Sequence, residues 1–185
     1  MTGTPAWRQS FVILFAVGLA SCDRQAASGS PASPEAAPPP TASVHEIMTA
    51  RIVPATNALW EAAAGTDVTD AKWIELRGQA DKVVEAANLL MLDGLNVVAP
   101  GQTLTDENSQ GGLSATDMQA HLDAHHQQFA QMSGQLRDAG QQMLRAVEAK
   151  NMEALQSGGD ALYTTCESCH QAFWYPNQKS AGGTQ

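Results

Sequence analysis

The chain has 185 residues and sets 10 Lys and Arg against 19 Asp and Glu, a formal net charge of −9. An acidic balance of this size repels phosphate backbones and so excludes nucleic acid as a partner. It favours partners that carry basic surfaces, although most carboxylates on such a chain simply solvate helix faces.

Residues 1–21 have the three parts of a secretory signal: a basic residue, Arg8, an apolar run from Phe11 to Ala20, and small residues ahead of Cys22. The apolar run is too short to span a bilayer as a helix. Its ending, Leu19-Ala20-Ser21-Cys22, resembles the bacterial lipoprotein signal, in which cleavage leaves the cysteine first and lipid is attached to it. Cys22 is therefore the expected lipidation site. The membrane is then a partner through that anchor, and the expected location is the bacterial periplasm. Without Arg8 the nine remaining basic residues face nineteen acidic ones, a charge of −10.

Residues 22–43 follow as a tether rich in Pro, Ala and Ser with no large apolar residue after Cys22, and such a composition cannot bury a core. The remainder, 44–185, suits one domain with a single core.

Four segments of that domain repeat apolar residues at steps of three and four, the period of helices packed on one face. The first holds Met48, Ile52, Ala55, Leu59 and Ala62, with Pro54 either bending it or marking its start. The second follows Thr69 and Asp70 and holds Trp73, Leu76, Ala80, Val83, Ala87 and Leu90. A connection over about 93–113, rich in Gly, Asp, Asn and Ser, reads as a mobile crossover. The third segment starts at Ser114, with Asp117 placed as in a capping box, and runs through Met118, Leu122, His125, Phe129, Met132, Leu136, Ala139 and Met143. The fourth holds Leu155, Gly159, Leu162, Cys166, Cys169 and Phe173, and Pro176 closes it. No run alternates with a period of two, so the expected fold is all-α, an antiparallel four-helix bundle.

The fourth segment also carries the chemistry. Cys166-Glu167-Ser168-Cys169-His170 is a Cys-x-x-Cys-His sequence, the attachment signature of a c-type haem. Two thiols three residues apart can each add to one vinyl group, and the next imidazole then lies under the iron as its proximal ligand. One helical turn puts Cys166, Cys169 and His170 on a single face, the face that the seam buries. A zinc site would need two more thiols or imidazoles at ligand spacing, and a thioredoxin-like pair would need a βαβ setting. With Cys22 assigned to lipid, no cysteine remains for a disulfide.

A Cys-x-x-Cys-His on the last helix of a four-helix bundle resembles the class II c-type cytochromes, the cytochrome c′ family, over roughly residues 44–178. Ile52-Val53-Pro54-Ala55 to Leu59-Trp60 and Asn88-Leu89-Leu90-Met91 add to the likeness. The resemblance implies one covalent haem c inside the bundle, electron transfer to redox protein partners, no enzymatic activity, and often a homodimer. It also implies that the first helix faces the distal side of the haem. A methionine there would ligate iron, whereas a non-ligating residue would leave a five-coordinate protein that binds or senses NO or CO. Met48 is the candidate sixth ligand, with a thioether that suits haem iron; the alternative is that it only fills the core. Met91 and His45 are the next candidates.

The family's arginine contact to a haem propionate is absent, since Val44 occupies that place; Arg51 and Arg77 are the substitutes on offer, or else solvated surface residues. His121 and His125 stand one turn apart, and His125 on the seam reads as a buried, hydrogen-bonded imidazole. Trp60, Trp73 and Trp174 are expected around the haem edge or in the core. No distal acid–base pair stands out in the sequence, which ranks catalysis last.

Overall fold

A computed structural model describes residues 42–65, 67–104 and 111–177. The expected signal, Cys22 and nearly all of the tether lie outside those residues. The regular elements are α1 (Val44–Ile47), a π-helical turn (Met48–Ile52), α2 (Val53–Ala64), α3 (Asp70–Leu90), α4 (Ala115–Ala124), α5 (His126–Glu148) and α6 (Met152–Phe173). The fold is all-α, with no strand among the described residues.

Local chemistry explains where the helices start. Thr69, Ser114 and Asn151 each cap a helix by accepting a backbone N–H three residues on. At the first helix the arrangement is reciprocal: Glu46 N–H donates to Ser43 Oγ at 3.2 Å, while Ser43 N–H donates to a Glu46 carboxylate oxygen at 2.9 Å. The N–H groups of Val44 and His45, which no carbonyl of their own helix can reach, donate to the carbonyls of Asn96 and Val97 at 2.8 and 2.9 Å. Ser43→Ala is therefore expected to cost about 1 kcal/mol of stability near neutral pH. The bonds from Ser43 hold the Glu46 carboxyl below its ordinary value. Their contribution is present above the unfolded carboxyl's pKa and is lost as pH falls through the folded one. The penalty of Ser43→Ala in thermal unfolding should accordingly shrink at acid pH; an equal penalty at both ends would show that the carboxylate adds nothing.

Pro54 reshapes the first predicted segment. In a continuous α-helix its ring would meet the Ala50 carbonyl, and it has no N–H to offer that oxygen. The chain instead widens by a residue: Val53 N–H donates to the Met48 carbonyl, five residues back, and Pro54 opens the regular helix that follows. The buried apolar residues of this stretch, Ile47, Ile52, Ala55, Leu59 and Ala62, are consequently spaced five, three, four and three apart. Ile47, not Met48, takes the core position, and Met48 sits half-buried beside it.

The third predicted segment is also corrected. It breaks at His125 (φ −125°, ψ 30°), and His125 is exposed rather than buried. Gln119 and His121 account for the divergence of α4 from α5. Gln119 accepts from Val97 N–H at 2.7 Å and donates to the Leu95 carbonyl at 3.2 Å, while His121 Nε2 lies 3.0 Å from the Ala172 carbonyl at the end of α6. These bonds correct the mobile crossover as well. Its first part is pinned between α1 and α4, with Leu95 and Val97 buried.

In the packed domain α2 lies against α3 and α6, α3 against α5, and α5 against α6. Leu59, Leu76, Val83, Leu90, Met143, Leu155 and Leu162 are almost wholly buried between them. Each such side chain contributes roughly 1.5–3 kcal/mol relative to exposure. Gly140 and Gly158 permit close approach, since a Cβ would stand 3.0 Å from Val83 Cγ1 at the first and 2.7 Å from Met143 Sδ at the second.

Candidate functional site

At the end of the domain that holds the carboxy terminus of α6, the helices leave a cavity of about 340 Å³. Cys166, Cys169, His170 and Phe173 line it from α6, His45 and Met48 from the first segment, Trp60 from α2, and Met118, Leu122, Phe129 and Met132 from α4 and α5. Its walls are mainly apolar even where hydroxyls line it. Thr56, Ser133 and Thr165 donate to carbonyls of their own helices, those of Ile52, Phe129 and Ala161, at 3.0, 2.9 and 2.9 Å. Thr49 and Asn57, both exposed, supply a polar rim.

The cysteines and His170 share the inward face of α6 because a helical turn brings them there. Burial pushes the Cys166 and Cys169 thiols up to about 11, with Cys166 itself adding to the shift at Cys169. At neutral pH both stay protonated, the form that adds as S–H across a carbon–carbon double bond. Neither is in a disulfide.

Burial also lowers the His170 pKa, with the nearby Glu167 charge opposing. The imidazole is thus neutral near pH 7, the state that ligates metals. Its position is fixed from the backbone outward: the His170 carbonyl accepts from the N–H groups of Trp174 and Tyr175 at 2.7 and 3.0 Å, and its ring meets Trp174 edge to face at 5.2 Å. Glu167 is held alongside by Tyr175 Oη and Gln171 Nε2, which donate to its two oxygens at 2.6 and 2.7 Å. These bonds lower the Glu167 pKa, and burial together with Glu167 raises that of Tyr175.

The residue set fits a haem. Two thiols and a neutral imidazole lie along one helix face, a thioether reaches the same cavity from another element, and no wall hydroxyl is left seeking a partner. Of the other sequence candidates, His45, Trp60 and Trp174 line the cavity and Met91 does not; a Cβ at Gly134 of α5 would stand 3.7 Å from the Met91 sulfur. Arg51 and Arg77 do not line it either, and Arg77 pairs with Glu148 at 3.3 Å. His121 packs on Phe173 and His125 rather than into the cavity. Trp73 is buried in the core away from it.

Met118 and Met132 are two further thioethers on the wall that sequence reading treated as packing only. Their place on the apolar seam was visible, but nothing in a linear pattern distinguishes a residue facing a cavity from one facing a neighbour. Comparison with protein-family models, with curated proteins and with solved structures finds no match to this chain.

Proposed function

We propose that this chain is a monohaem c-type cytochrome that carries single electrons, built as an antiparallel four-helix bundle of the cytochrome c′ kind. The observation that supports it is the convergence of Cys166, Cys169 and His170 with Met48 on one apolar cavity. Haem c, when bound, would supply a one-electron couple between ferric and ferrous iron. The chain's own residues do the rest. Cys166 and Cys169 would hold the group by thioether bonds, and His170 and Met48 would be the residues that ligate its iron. Phe129, Phe173, Leu122 and Trp60 exclude water, which limits solvent rearrangement when the charge on the site changes. With no substrate to position, we assign the protein no enzymatic activity.

The test is direct. The colour of the purified protein should stay with the polypeptide through acid-acetone extraction, because covalent haem cannot leave. Complete extraction from the wild-type protein overturns the assignment.

We further propose that Cys22 is lipidated and that residues 22–43 hold the domain off a membrane in the bacterial periplasm. In detergent phase partitioning the wild-type protein should enter the detergent phase and Cys22→Ala should leave it. Wild-type protein recovered only in the aqueous phase removes the anchor.

A further inference from the structure

Trp60 borders two hollows at once. Its indole lines the apolar cavity that also holds Cys166, and it lines a surface groove of about 400 Å³ between α2 and α6. The ring is fixed there by Nε1, which donates to the Gly159 carbonyl across the helix interface at 3.1 Å. Gly159 permits this approach, since a Cβ at that position would already stand 3.4 Å from the indole Cδ1. On its outer side the indole meets Tyr163 edge to face at 6.3 Å, and Tyr163 is 60% exposed. Tyr163 lies one helical turn ahead of Cys166. Two touching aromatic rings therefore lead from the cavity to the solvent on this face.

The charge of the two helices has one sign. Glu61 on α2 and Glu153, Asp160 and Glu167 on α6 are their charged residues, and neither helix contains Lys or Arg. No ion pair among the described residues uses a carboxylate of α2 or α6. The basic residues Lys72, Arg77, Arg137 and Lys150 all pair with acids elsewhere, namely Glu75, Glu148, Asp138 and Asp70. Arg51, Lys82 and Arg145, the other described Lys and Arg residues, lie on other elements, and Asp160, the carboxylate that lines the groove, has no ion-pair partner among the described residues.

We propose that the groove between α2 and α6 is where this protein meets a positively charged redox protein, with Trp60 and Tyr163 forming the contact. The inference rests on the haem assignment above. The exchange moves one electron and no atom: the reduced protein loses one and the oxidised partner gains one. Electronic coupling falls steeply with separation, and a partner seated on this face stands one indole away from the cavity. Asp160 in the groove, with the acidic residues of the two helices around it, steers a cationic partner to that place, and salt weakens the steering.

The experiment follows oxidation of the reduced haem protein in stopped flow by two one-electron oxidants of opposite charge, tris(phenanthroline)cobalt(III) and ferricyanide. Asp160→Lys is expected to slow the cationic oxidant roughly threefold or more at low ionic strength and to speed the anionic one, both effects fading in high salt. Glu85→Lys, an exposed reversal on α3, makes the same change in net charge on another face and should alter both rates far less. Tyr163→Ala should slow both oxidants regardless of salt. Equal responses to Asp160→Lys and Glu85→Lys would show that net charge alone is at work and would overturn the docking face; an unchanged rate in Tyr163→Ala would remove the aromatic contact. Failure of the haem assignment would be seen earlier and separately, as a purified wild-type protein without haem absorbance.

Discussion

Replacing both Cys166 and Cys169 by alanine is expected to give a protein from which acid-acetone removes all haem, while either single replacement keeps some colour on the chain. The reason lies in the cavity wall. Each thiol is buried and protonated, its pKa pushed to about 11, and each can add its S–H to a separate vinyl group, so one surviving thioether is enough to hold the group. His170 remains in the double variant, so haem that enters it is held by coordination and packing alone. Binding a group only to the folded state stabilises that state by mass action. The double variant should therefore unfold more readily than the wild type and should regain stability as free haem is added. Thermal unfolding monitored by circular dichroism, with and without added haem, measures this. A double variant that keeps all its haem through extraction would rule out thioether attachment at these positions.

Met48→Ala carries the second large effect. With imidazole and thioether as axial ligands the iron should be low-spin in both oxidation states, because that pair splits the d orbitals enough to pair the electrons. Removing the thioether should turn the spectrum high-spin and admit carbon monoxide readily, where the wild-type protein resists it. Met91→Ala is the control and should leave spin state unchanged, since Met91 packs near Gly134 and does not line the cavity. The cavity narrows the alternatives to three named side chains, His45, Met118 and Met132. A low-spin protein indifferent to Met48→Ala directs the same substitution to each of them. A wild-type protein already high-spin and quick to bind carbon monoxide discards Met48 as a ligand and makes the protein a gas binder.

The two substitutions also separate attachment from ligation. Met48→Ala should keep its colour through extraction while changing spin state. Cys166→Ala with Cys169→Ala should lose its colour, although haem merely bound within it would keep the axial pair. Unfolding alone would also leave covalent haem on the chain and change its spin state, so the Met48→Ala result counts only when circular dichroism shows the variant folded.

What the sequence determined by itself is what short-range chemistry controls. The caps at Thr69 and Ser114 marked the starts of α3 and α4, because an N-cap acts within a single turn. The seam of the fourth segment and its Cys-x-x-Cys-His reading placed three site residues on one helix face for the same reason, since one turn separates them. The all-α class followed from periodicity summed over whole segments.

Tertiary structure decided the rest. Whether Pro54 bent the first helix or began it depended on which residues the neighbouring helices would bury, and the π turn satisfies both the proline and the core by holding one residue more than a regular turn. His125 sits on the apolar seam by counting, yet the chain breaks there because Gln119 and His121 bind a loop and a helix end that are remote in sequence. Met91, Met118 and Met132 are much alike as letters in a pattern. Only the packing of α4 and α5 turns two of them towards the cavity and leaves the third against Gly134, because the direction a side chain faces is set by neighbours that linear spacing does not contain.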